Sequence, residues 1–114
     1  MREKDIEKIL VDEVKKLGGR AYKWVSPGND GVPDRIVIFP NQRPVFVELK
    51  ADGGKLSALQ EIQIRRLREL GQYAEVVRGM KGLAEFFRNS GYTKTARALE
   101  ARYGLAQEGA DDGI

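Results

Sequence analysis

The sequence predicts an α/β fold in which a mixed central sheet is flanked by helices, with elements in the order αβββαβ followed by two C-terminal helices. Three observations lead there. Arg35 to Phe39 (RIVIF) and Pro44 to Leu49 (PVFVEL) are apolar, β-branched runs joined by the polar segment Pro40-Asn41-Gln42-Arg43, the pattern of a hairpin. An amphipathic helix and one alternating strand precede them. A helix and then a strand follow them, and such a strand-helix-strand unit makes a parallel pair, so the sheet is not purely antiparallel.

Arg2 to Leu17 has apolar residues at Ile6, Ile9, Leu10, Val14 and Leu17, the spacing of a helix with one buried stripe, and Gly18-Gly19 ends it. Glu7 and Glu3 both lie on the flank of that stripe, and periodicity does not choose between them. Arg20 to Val25 (RAYKWV) alternates and reads as the first strand; Trp24 in it is expected in the core. Ser26 to Gly31 (SPGNDG) is a loop by composition. It is either an ordinary connection or a place where backbone approaches a phosphate.

Ala51 to Lys55 (ADGGK) is a second glycine-bearing loop. Ser57 with Gln60 three residues on fits a capping box for a helix from about Ala58 to Leu70, stopped by Gly71. Its buried side is expected at Leu59, Ile62, Leu67 and Leu70, with Ile64 less well aligned. Arg65, Arg66 and Arg68 fall on or near the outer surface. Tyr73 to Arg78 (YAEVVR) is the fourth strand. Gly79 to Asn89 and Thr93 to Tyr103 are the C-terminal helices, the latter capped by Thr93. One domain over residues 1–105 is expected, with 106–114 (AQEGADDGI) a disordered acidic tail.

Composition removes several chemistries. With 114 residues the chain suits one domain with a single core. It has no cysteine and no histidine, which excludes thiolate zinc sites, disulfides, a cysteine nucleophile and serine–histidine hydrolysis in its usual form. No segment approaches the roughly twenty apolar residues of a membrane span, so the expected setting is soluble and cytoplasmic. The net charge of +3 and pI near 9.3 permit polyanion binding without arguing for it.

The chemistry concentrates in Gly31 to Lys50 (GVPDRIVIFPNQRPVFVELK). With the turn centred between Asn41 and Gln42, reflection puts Asp34 opposite Leu49 and beside Glu48 in the ladder. Strand alternation sends Glu48 and Lys50 to one face and Leu49 to the other. Two carboxylates at close range raise each other's pKa unless a cation lies between them. Hard oxygen ligands of this kind suit Mg²⁺ or Mn²⁺, which also take phosphate oxygens and water. The ordinary alternative is a turn aspartate and a cross-strand glutamate with a lysine nearby.

The pattern of Pro33-Asp34 followed by Glu48-Leu49-Lys50 resembles the PD-(D/E)xK nuclease superfamily, and GVPDRIVIFP with PVFVELKADGGKLSALQ looks like its VRR-NUC branch, the virus-type replication-repair nucleases. The match runs from about Glu7 to Val77. The resemblance implies a restriction-endonuclease-like core. It makes Asp34, Glu48 and the main-chain carbonyl of Leu49 metal ligands and Lys50 the catalytic lysine. It sets Gln60 at a glutamine position on the following helix and Glu7 at an acidic position on the first, acting directly or through water.

The activity so implied is a Mg²⁺- or Mn²⁺-dependent endodeoxyribonuclease without organic cofactor, in a bacterial or phage-infected cell. Small stand-alone relatives resemble Holliday-junction resolvases, so branched DNA and a homodimer are the expected partners. Lys23, Ser26, Asn29, Lys55, Arg65 and Arg66 are the expected DNA contacts. A restriction-like, flap or duplex nuclease and a non-catalytic DNA-binding module on a nuclease fold are the alternatives.

Overall fold

The computed structural model describes residues 1–105; the expectation of a disordered tail at 106–114 lies outside them. The elements are α1 (Glu3–Lys16), β1 (Arg20–Lys23), β2 (Arg35–Ile38), β3 (Val45–Lys50), α2 (Ala58–Glu69), β4 (Tyr73–Arg78), α3 (Gly79–Asn89) and α4 (Thr93–Arg102). They form one four-stranded sheet in the order β1-β2-β3-β4. The first three strands are antiparallel and β4 runs parallel to β3, as the strand-helix-strand connection through α2 requires. This is the expected restriction-endonuclease-like arrangement, with β1 and β2 slightly shorter than their expected runs, β3 shifted one residue on, and β4 as expected.

Register assigns the two faces. Ala21, Val37, Val45, Val47, Leu49 and Val77 project to one side and join Ile6, Leu10 and Val14 of α1 and Leu83 and Phe87 of α3 in the main core. Intervening residues, Glu48 among them, project to the other side, where α2 packs on β4. Phe39 anchors the C-terminal helices: its ring meets Phe86, Phe87 and Tyr92 at 5.9, 6.1 and 4.8 Å. Ala96 and Leu99 of α4 are fully buried against this core. The last helix thus closes the core behind α3.

Three local expectations are corrected. The buried side chain of α2 is Ile64, whereas Leu59 and Leu70 are 51% and 73% exposed. Because α2 leans mainly on the edge strand β4, its buried stripe is narrow and shifts to the side that meets that strand. Thr93 is the first helical residue of α4 and not its cap; Tyr92 holds the cap position, with no side-chain cap bond. Trp24 leaves β1 and is only half-buried, its ring resting on Phe46 at 5.1 Å.

Candidate active site

The hairpin register is one residue from the expected one. Arg35 pairs with Val47, Ile36 with Phe46 and Val37 with Val45, so the next rung sets Asp34 against Glu48 and not Leu49. The turn is centred on Asn41 itself, which adopts φ 58°, a left-handed conformation that asparagine tolerates. This shift brings the two carboxylates face to face. Asp34 Oδ2 still accepts the Leu49 backbone N–H at 2.8 Å. In an extended strand the carbonyl of a residue leaves by the same edge as its N–H. The Leu49 carbonyl is therefore turned toward the Asp34 side, beyond the last Arg35–Val47 rung.

Glu48 is 2% exposed. Its Oε2 accepts a hydrogen bond from Gln60 Nε2 at 3.1 Å and lies 3.8 Å from Lys50 Nζ. Its Oε1 is buried with no hydrogen-bond partner. Burial first, then the charge of Asp34, push the Glu48 carboxyl up to about 8, while Lys50 pulls the other way. A buried carboxyl with an orphaned oxygen beside a second carboxylate is costly to ionise in a protein alone. A divalent cation bound by Asp34, Glu48 and the Leu49 carbonyl would relieve it.

The structure brings Gln60 to this cluster by a double use of one side chain. Its Oε1 accepts the Ser57 N–H at 2.9 Å and its own N–H donates to Ser57 Oγ at 3.1 Å, closing the capping box. The remaining amide hydrogens reach Glu48. One side chain thus caps α2 and bonds Glu48, so the start of α2 is fastened to β3.

The loop before Asp34 is also built onto α2. Gly31 has φ +87°, and a Cβ there would lie 2.6 Å from the Leu59 carbonyl carbon, so only glycine allows this approach. Gln63 Nε2 donates to Asp30 O at 3.3 Å, and Asn29 Nδ2 to Ser26 Oγ at 3.0 Å. These contacts hold the loop against α2. On the far side Arg78 Nε donates to Gly54 O at 2.9 Å, which pins the loop after Lys50 to β4.

Glu7 is engaged elsewhere. Its Oε2 pairs with Arg35 Nε at 2.8 Å, and the same guanidinium donates to Ala21 O at 3.0 Å. That ties α1 to β1 and β2 on the core side of the sheet. The α1 carboxylate whose charge adds to the upward push on Glu48 is Glu3. Arg35 and Gln63 were missed by the sequence reading, since partners 28 and 33 residues away leave no local pattern. Among the expected DNA contacts, Asn29, Lys55, Arg65 and Arg66 are exposed and Ser26 is half-buried. Lys23 is exposed but pairs with Arg35, on the rung that faces away from Glu48.

Known proteins match this chain on both sequence and fold. The VRR-NUC domain model matches residues 2–81, covering α1 through the start of α3. A protein of Acyrthosiphon pisum secondary endosymbiont phage 1, "Putative nuclease p44", is 52% identical over 77 residues, which is 68% of this chain and 83% of that protein. A solved structure described as a VRR_NUC domain superposes with a TM-score of 0.69 at 27% identity, covering 75% of this chain and 94% of that one. The matched region contains Asp34, Glu48, Lys50 and Gln60, together with the loops that hold them, and the chain belongs to the VRR-NUC family of nuclease domains.

Proposed function

We propose that this nuclease domain is a Mg²⁺- or Mn²⁺-dependent endonuclease that hydrolyses phosphodiester bonds in branched DNA, four-way junctions foremost, and that it works as a homodimer in the cytoplasm of a bacterial or phage-infected cell. The observation that carries the metal dependence is the Asp34–Glu48 pair, with its orphaned Glu48 Oε1 and raised carboxyl pKa. When bound, the cation supplies Lewis acidity and a more acidic attacking water. Asp34, Glu48 and the Leu49 carbonyl would hold it. The Lys50 ammonium stands beside this group, where it orients the water or offsets charge developing on the phosphorane oxygens. Gln60 keeps Glu48 in position. One such cluster per chain cuts one strand, so symmetric resolution of a junction calls for two chains about a two-fold axis.

The test is cleavage of labelled four-way-junction, flap and plain duplex DNA with Mg²⁺, Mn²⁺ or EDTA, with Lys50→Ala beside the wild type. Paired, metal-dependent nicks in the junction that vanish in Lys50→Ala are expected. Cutting of flaps or duplex alone overturns the substrate, and folded, DNA-binding protein that cuts nothing overturns the activity.

A further inference from the structure

The sheet face that carries Asp34, Glu48 and Lys50 is only partly covered. α2 packs on β4, and on the same face over β1 and β2 the register aligns Tyr22, Ile36 and Phe46 in one rung, with Ile38 one alternation further. Trp24 leans onto Phe46 from the loop end. Tyr22 is 56% and Ile38 38% exposed. The Trp24 backbone N–H donates to the Asp34 backbone carbonyl at 3.0 Å, so this apolar strip begins beside Asp34.

Resting on the nuclease reading above, we infer that the strip is a stacking platform for unpaired nucleobases of the strand being cut. Phe46 lies two residues along β3 from Glu48, about 7 Å, a span that one unstacked nucleotide bridges. A phosphate held at the carboxylate pair therefore brings the neighbouring base over the rings of Trp24, Phe46 and Tyr22. Every base has a π-face, so aromatic platforms on open sheets take single strands with little regard to sequence. Arg20 pairs with Ile38 at the far end, and Lys55 follows the catalytic strand, each exposed and each able to meet backbone phosphate. A stacked duplex presents no base faces to this strip. A protein seated on it would stand in the path of the scissile strand. The platform thus selects DNA whose bases are already unpaired near the cut, as at flaps and junction centres.

Trp24 is the sole tryptophan, which makes its fluorescence a direct reporter. Full-length Lys50→Ala in Mg²⁺ is titrated with oligo-dT and with blunt duplex of equal length. Oligo-dT is expected to quench Trp24 and duplex to quench it weakly. Adding Tyr22→Ala is expected to weaken oligo-dT binding about tenfold, the loss of one base stack, with little change for duplex, while Tyr22→Phe retains the affinity. Absence of quenching by oligo-dT, equal quenching by duplex, or a Tyr22→Ala effect shared by both DNAs overturns the platform. So does sedimentation in which Tyr22→Asp dissociates a DNA-free dimer, which would make the strip a protomer contact. Wild type that cuts no DNA with either metal, while the Tyr22-dependent quenching holds, sinks the nuclease reading and leaves the platform as a single-strand binding site.

Discussion

Replacing Glu48 with glutamine should stabilise the metal-free protein while abolishing its chemistry. The carboxyl is 2% exposed, and its pKa rises from 4.5 to about 8 because burial and Asp34 oppose its charge. A group held above its unfolded value contributes stability that is complete below about pH 4.5 and is lost as pH climbs through about 8. At pH 7 the folded protein must either keep a proton on Glu48 or bear the charge, a handicap of about 3 kcal/mol relative to full protonation. Glutamine removes it, keeps the shape, and still offers an oxygen to Gln60. Thermal unfolding in EDTA should show the wild type losing stability between about pH 5 and about pH 8, and Glu48→Gln staying nearly flat. At pH 7 the variant should melt on the order of 10 °C higher. Mg²⁺ should raise the melting temperature of the wild type and not of the variant. A wild-type stability that is level across this window, or a variant less stable than the wild type in EDTA, refutes the assignment of a buried, repelled carboxylate.

Three further outcomes follow from the geometry. Gly31→Ala should destabilise the fold by about 2–4 kcal/mol in urea, combining the left-handed penalty with a clash against the Leu59 backbone; an unchanged midpoint would mean that the loop does not rest on α2. Gln60→Glu keeps a capping box but replaces the donor to Glu48 with a carboxylate, so cleavage should fall at least about tenfold and like-charge repulsion should lower stability in EDTA; unchanged cleavage would leave Gln60 a cap alone. Glu7→Gln should cost about 1–2 kcal/mol by weakening the half-buried tie to Arg35, with Mg²⁺ affinity nearly preserved in calorimetry. Lost metal affinity at unchanged stability would restore Glu7 as a ligand.

The division between local and tertiary information runs through particular residues. Helix α1, the hairpin runs, the Ser57–Gln60 capping box and the glycine stops are written within a few residues of chain, because capping, periodicity and turn chemistry act at short range. The proximity of Asp34 and Glu48 was legible for the same reason: a short hairpin leaves few registers. The one-residue error came from Asn41, whose left-handed conformation moved the centre of the turn and so decided which residue faces Asp34. Four matters were decided only by packing. The Glu7–Arg35 pair joins groups from α1 and β2. Gly31 owes its necessity to a helix that starts later in the chain. The exposure of Leu59 and Leu70 reflects where α2 meets the sheet. The open aromatic strip exists because α2 leans on β4 and leaves β1 and β2 uncovered. Sequence alone determined the element order and the reactive residue types; the three-dimensional fold decided which carboxylate is buried, which is paired away, and which apolar face stays bare, since those depend on contacts between segments far apart in the chain.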